Sequence, residues 1–596
     1  MSQVKTRQQI EEKYKWSLKD IFESDQKWEE AFETIKGQIP ALCAFKGKLK
    51  DKFELKKFFA LEHEISLLGE KLYVYAKMSR DQDNGCDTYV SLCDRAYSLL
   101  MELETETAFV TPELNELDDS VLLTWADEQM FEDNSLYLKG IVRNKEHLLS
   151  EKEERLLAMS AEMASSYDTI FTMLDDVDMK FNDITLPDGT KTELSHGRYG
   201  LFLRDRCRET RKQAYLSMYE AHKNSINTLA SLYSSSVKKD VFYARARNFS
   251  SVLDGELFSG NIPKEVYTGL IDAVHKTFPA MHRYVEMRKK LLNIDDLKMY
   301  DMYLPIVEVP EQNFSYEEAQ ELSKKALAPL GEDYVELLQR SFDENWIDVF
   351  ETKGKTSGAY SWGTYGVHPY MLLNFQGKLD DVFTLVHEAG HSMHTYYSDN
   401  NLCYEKAQYK IFVAEVASTV NEVLLLKYLL KNSKDDNMKA YLLNHLLEQF
   451  RTTVFRQTMF AEFEYKTHTM CEEGEPLTVN ALNKLYGDLN RAYYGDSVET
   501  DEYIETEWSR IPHFYRAYYV YQYATGFSSA VKIADMILSE GAPAVERYKK
   551  FLSSGGSDFP VELLKITGVD LTKPDDILSA LKTFENTLKE FEEILK

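Results

Sequence analysis

DDVFTLVHEAGHSMHTYY, residues 380–397, is the stretch from which the other parts of this 596-residue chain take their meaning. It contains His387, Glu388 and His391 in the pattern H-E-x-x-H. On an α-helix, residues four apart lie on one face, one turn from each other. Two imidazoles so placed can close on a single metal ion, and the glutamate between them points to a flank from which it reaches water. Zinc suits two histidine nitrogens, a carboxylate and one open position. In that arrangement the ion polarises water and a substrate carbonyl, and Glu388 takes the proton as general base. The helix itself is well signalled. Asp380 and Asp381 place a cap and negative charge at its start. Val382, Leu385, Val386, Ala389 and Met393 recur at helical spacing on one side, with His387, His391 and His394 on the other. Ser398 to Asn401 reads as a polar stop. The histidine stripe is expected to line a cleft.

A third metal ligand has to come from elsewhere. One known arrangement needs glycine at position 394 and histidine at 397, but these are His394 and Tyr397. The other takes a glutamate from a second helix. IFVAEVASTVNEVLLLKYLL, residues 411–430, offers Glu415 among Phe412, Val413 and Val416. A carboxylate in so apolar a turn is costly unless it binds metal or enters a buried salt bridge. Glu415 is therefore the expected ligand. His394 is the alternative third ligand, although donors at i, i+4 and i+7 strain to meet one ion. Glu422 and Asp399 are the candidates for bracing the imidazoles from behind.

Composition excludes several classes. Asp and Glu number 98 against 70 Lys and Arg, a net charge of −28 that argues against a nucleic-acid surface. No run of 18 apolar residues exists, so no membrane partner is expected. Six scattered cysteines without a C-x-x-C pair speak against a disulfide framework or a cysteine metal site. The polar N-terminus MSQVKTRQQIEEKYKWSLKD has no apolar signal core. A reducing, cytoplasmic setting follows.

Along the chain, residues 1–170 show apolar residues at three- and four-residue intervals and read as helix after helix. FNDITLPDGTKTEL, residues 181–194, carries a hairpin signal at Pro187-Asp188-Gly189. The expected division is residues 1–190, a helical region ending in this hairpin, and residues 191–596, which hold the metal site. Arg208 to Tyr233 and Lys264 to Leu292 read as long amphipathic helices, and residues 300–310 as a loop with two prolines. KGKTSGAYSWGTYG, residues 353–366, has four glycines among aromatics and is expected to form a flap over a cleft. HPYMLLNF, residues 368–375, reads as a strand whose open edge could pair with an extended peptide. HFYRAYYVYQY, residues 513–523, packs six aromatics into eleven residues. It is either a core layer or a wall of hydrogen-bond donors for a developing oxyanion.

The stretches SGAYSWGTYGVHPYMLLNFQG, LVHEAGHSMH, FVAEVASTVNE, FRQTMFAEFE and IPHFYRAYYVYQYATG run in that order. Together they resemble the oligoendopeptidase F group of the thimet-oligopeptidase-like zinc metallopeptidases. The resemblance implies a mainly α fold, a large helical ellipsoid with a deep substrate channel and a small β-sheet beside the zinc site. It implies one Zn2+ per chain on His387, His391 and Glu415, and Glu388 as base. It also implies hydrolysis of internal bonds in short peptides, with oligopeptides as the partners. His513 and a nearby tyrosine would contact the substrate or oxyanion. More distant relatives point to Tyr518, the closer pattern to Tyr519 and Tyr523, and Tyr519 is preferred. The alternative is a helical peptide-binding scaffold with an inert metal site.

Overall fold

The computed structural model describes residues 4–308 and 312–596. The first three residues of the polar N-terminus, and residues 309 and 310 of the expected proline loop, lie outside them. Helices carry 71% of the chain and the sheets are small, so the expected mainly α class holds. No helix among the described residues is long and apolar enough to cross a membrane. The chain forms two compact units. One comprises Met1–Glu146, Gln312–Tyr428 and Ile533–Val569; the other comprises His147–Glu311, Leu429–Lys532 and Asp570–Lys596.

Five strands occur among the described residues. β1 (Ile184–Thr185) and β2 (Lys191–Thr192) form the expected hairpin in the second unit. β3 (Ile347–Asp348), β4 (Tyr360–Trp362) and β5 (Tyr370–Leu372) form a sheet of order β3-β5-β4 in the first. β5 runs parallel to β3 and antiparallel to β4.

In the first unit the N-terminal helices Asp25–Cys43, Lys52–Gln82 and Asp87–Thr107 bury Trp28, Ile35, Leu55, Phe58 and Leu99 in one core. Tyr370 and Leu372 of β5 belong to that same core. The sheet is thereby a fixed floor. Against it lies the helix Leu379–Asn401, joined through Ser361 Oγ and Ser392 Oγ at 2.7 Å. Its start is held by the Asp381 carboxylate, which accepts the Lys378 and Gln376 N–H groups at 2.7 and 3.1 Å. Its end runs through the expected polar stop, Ser398 to Asn401, to the last residue of that stretch. Ser398 Oγ donates to the Ala407 carbonyl, so the polar residue is satisfied inside the helix instead of ending it. Val382, Leu385, Val386, Ala389 and Met393 are all fully buried, as their spacing predicts.

Two long helices expected in the second unit are broken. Arg208–Asn224 and Ile226–Ala246 meet at Ser225, and Lys264–Lys276 and Phe278–Leu291 meet at Thr277. At the second break Pro279 lacks the N–H that would continue the hydrogen-bond ladder. Helix Arg456–Glu472 leads through Val479–Tyr494 to two tight turns, Ile504–Arg510 and Pro512–Tyr515, which carry His513.

Candidate active site

His387 and His391 lie one turn apart with their Nε2 atoms 3.2 Å from each other. One Glu415 oxygen, Oε2, is 3.5 Å from each of them. A tetrahedral zinc site with bonds of 2.0–2.1 Å separates its donors by about 3.3–3.4 Å. The triangle therefore has the size that such an ion requires. Charge agrees with size: Glu388, Glu415 and Glu422 surround two imidazoles, and a divalent cation offsets that excess. Side-chain exposures of 27% for His387, 17% for His391 and 42% for Glu415 leave one side of the triangle open to solvent. Structural zinc sites are closed by four protein ligands, whereas catalytic sites keep a position free.

The helix Ile411–Asn432 delivers Glu415, Ser418 and Glu422 along one face. Ser418 Oγ donates to Glu415 Oε2 at 3.1 Å. Glu422 Oε1 bonds His387 Nδ1 closely, which leaves Nε2 as the ring nitrogen that faces His391. Asn421 Nδ2 donates to the Val386 carbonyl at 3.0 Å and locks the two helices in register. Burial opposes a charge on His387, but the bond to Glu422 and the carboxylates around it outweigh this and lift the ring to about 9. The bond to His391 outweighs burial at Glu415, and with His387 and Ser418 it holds the carboxyl at about 2. Glu388 is only 6% exposed. Burial raises its carboxyl, and the neighbouring His387 and His391 pull it back.

His394 and Asp399 are not where the sequence suggested. His394 is fully buried, stacked 3.7 Å from the Tyr409 ring and packed against Phe551. It neither lines a cleft nor joins the triangle. Its place on the wheel, about 60° behind His391, turns it under the helix. Burial, helped by His391, drives its ring down to about 3. Asp399 braces no imidazole; Glu422 does. Asp399 instead shares a cavity of about 270 Å³ with Glu70, Trp362, Thr395 and Tyr409, where burial and the Glu70 charge raise it to about 7.

The glycine-rich segment is anchored on both sides. Lys355 is buried against Asp348 and the Phe350 carbonyl, at 2.8 Å each. Thr356 Oγ1 and Tyr360 OH donate to the two oxygens of buried Asp81, also at 2.8 Å. It forms β4 and does not stand as a loose flap. The strand at residues 368–375 exists as β5, but it is the middle strand and fully buried, so the outer strands are β3 and β4, of which β4 is the less buried.

The aromatic cluster belongs to the second unit. His513, Tyr519 and Tyr523 gather, with ring centroids 6.3, 6.2 and 5.5 Å apart. The Arg516 guanidinium lies 4.5 Å over Tyr519. Burial and Arg516 lower the His513 ring. Tyr518 points the other way, 4% exposed, against Tyr267 and His468. Of the two readings the sequence allowed, core packing holds for Tyr518, while His513 is exposed and Tyr519 half-buried.

The model of peptidase family M3 matches residues 201–583, and that of oligopeptidase F matches residues 113–181. Oligopeptidase PepF of Bacillus subtilis is 44% identical to the chain, over all of it and 89% of the relative. The chain belongs to peptidase family M3. Among solved structures, oligoendopeptidase-F from Enterococcus faecium is 37% identical with a TM-score of 0.74, covering 96% of this chain and 99% of that one. A candidate peptidase from Chlamydophila abortus is 34% identical with a TM-score of 0.95, covering 99% and 100%. The M3 membership makes this chain a metallopeptidase, and the three-donor cluster is its candidate metal site. Three residues around that site escaped sequence reasoning: Gly390, Ser418 and Asn421. Gly390 carried a signal, because glycine inside a helix is unfavourable without a packing reason.

Proposed function

We propose that this M3 peptidase hydrolyses internal bonds of short peptides with one zinc ion per chain, held by His387, His391 and Glu415, and with Glu388 as general base. The observation that carries the reading is the donor triangle with edges of 3.2 to 3.5 Å and one side open. When bound, zinc supplies the Lewis acidity that polarises the scissile carbonyl and acidifies water. Glu388 accepts the proton of the attacking water on its carboxylate and passes it to the departing amine nitrogen. Glu422 keeps the His387 ring turned, and Ser418 keeps Glu415 Oε2 facing the imidazoles. β4 is the outer strand beside the motif helix, and its backbone offers an extended peptide main-chain pairing with little demand on sequence. His513 and Tyr519 serve as hydrogen-bond donors to substrate or oxyanion. This role rests on the family pattern and on their joint presentation.

The scaffold alternative loses its ground to the peptidase family and to the open side of the triangle. The preference for short peptides follows the relatives named oligopeptidase. The test is a quenched peptide of about ten residues assayed beside casein, with products mapped by mass. Internal cleavage that stops with chelator and returns with zinc is expected, with casein intact. Release of terminal residues alone, or turnover that survives full metal removal, would overturn the reading. Glu422→Ala is expected to weaken zinc binding about 10- to 100-fold by freeing the His387 ring. Competition with a chromophoric chelator measures it, and unchanged affinity would show that the Glu422 bond orients nothing.

A further inference from the structure

The stretch FRQTMFAEFE, residues 455–464, has no part in the chemistry above, yet its three charged residues each hold a different element of the second unit. Arg456 pairs with buried Glu507 at 2.8 and 3.1 Å. Glu462 accepts from Tyr493 OH at 2.9 Å and bonds His275 Nε2 at 2.7 Å. Glu464 differs from both. It is fully buried, and its bond is to a backbone group, the Tyr518 N–H, received by Oε1 at 3.1 Å. The charged groups acting on it are the acids Asp240 and Glu256.

Tyr518 needs such a partner. Its φ is +52°, a left-handed conformation that a bulky side chain rarely takes. That one residue divides the segment. The Tyr518 ring goes down onto Tyr267 and His468, at 5.4 and 4.9 Å. Its neighbour Tyr519 goes up, near-parallel to His513 at 15°. His468 is tied to the same spot, since its Nδ1 bonds the Glu464 carbonyl at 2.8 Å.

We infer that Glu464 is a positioning residue for peptide hydrolysis: its carboxyl oxygen latches the left-handed Tyr518 N–H and so fixes the turn that presents His513 and Tyr519 together. This rests on the proposal that those two touch the substrate. Burial, with Asp240 and Glu256 nearby, raises the Glu464 carboxyl well above its ordinary range. What the latch needs is an acceptor oxygen at the Oε1 position, which glutamine reproduces and leucine does not.

The experiment measures kcat and KM on a quenched peptide for Glu464→Gln, Glu464→Leu, His513→Ala and Tyr519→Phe, with zinc content and thermal unfolding followed in each. Glu464→Gln is expected within about threefold of wild type. Glu464→Leu is expected to lose about 10- to 100-fold in kcat with one zinc retained, the scale of a small misplacement of a contacting group. Combined with Tyr519→Phe it should add little, because both remove one arrangement, whereas simple destabilisation would multiply. Wild-type kcat in Glu464→Leu, equal loss in Glu464→Gln, or a fully multiplicative double mutant each overturns the inference. If Glu464→Leu does not fold, Glu464→Asp withdraws the acceptor by one methylene and carries the same expectations. Failure of His513→Ala and Tyr519→Phe to lower kcat would instead remove the underlying reading of the cluster.

Discussion

Glu388→Gln is expected to lower kcat by about 10²- to 10⁴-fold, the range for loss of a positioned general base, while one zinc per chain stays bound. Glutamine has the same shape, so the nearly buried side chain at 6% exposure keeps its packing. Its amide nitrogen and oxygen cannot take up the water proton at neutral pH. Glu388 also lies outside the triangle of His387 Nε2, His391 Nε2 and Glu415 Oε2, so its replacement removes no donor. A thousandfold loss corresponds to about 4 kcal/mol of barrier. Weaker metal binding cannot mimic this if the assay is run at saturating zinc. Steady-state kinetics beside metal analysis of the same preparation settles the assignment. Turnover near wild type with zinc bound would transfer the base role to another group. Loss of zinc would show that Glu388 shapes the donor set itself.

What the sequence made legible, and what it did not, divides along local and non-local physics. The motif helix was readable because a period of 3.6 residues is a local property, and its five apolar positions are all buried. Glu415 was readable because an acid in an apolar turn has few affordable partners, and the structure sets it 3.5 Å from both imidazoles. His394 shows the limit. A helical wheel gives its angle but not what covers it, and the cover is Tyr409 from a following loop and Phe551 from far along the chain. The order of the strands failed for the same reason, since β3 comes from residues 347–348. A hint was present there: YMLL is a continuous apolar run, which marks an inner strand, not an edge. Which of Tyr518 and Tyr519 is turned into the core was beyond any periodicity. It goes with one backbone angle, the +52° at Tyr518, whose N–H is accepted by Glu464 from more than fifty residues away.

Gly390→Ala is the substitution for which simple propensity and the structure make opposite forecasts. In a helix interior, alanine is favoured over glycine by about 1 kcal/mol. At Gly390, however, a Cβ would lie 2.6 Å from Ser418 Cα, 2.7 Å from the Ala417 carbonyl oxygen and 2.8 Å from Ser418 N. All three are backbone atoms of the helix Ile411–Asn432, so no side chain can swing aside. The helix has to retreat by about 1 Å to restore ordinary contact, and overpacking of this kind costs about 1–3 kcal/mol. Retreat carries Glu415 and Glu422 away together, one from the donor triangle and the other from His387 Nδ1. Metal bonds tolerate only about 0.2 Å. Zinc affinity is therefore expected to fall by about 10²-fold or more, and kcat/KM with it, with partial recovery in excess zinc. Gly140→Ala, in the helix Ser135–Asn144 with nothing within 4 Å of the added carbon, is the control and is expected to raise Tm slightly. If Gly390→Ala instead binds zinc as tightly as wild type, then the close approach of these two helices is not what sets Glu415 against the imidazoles.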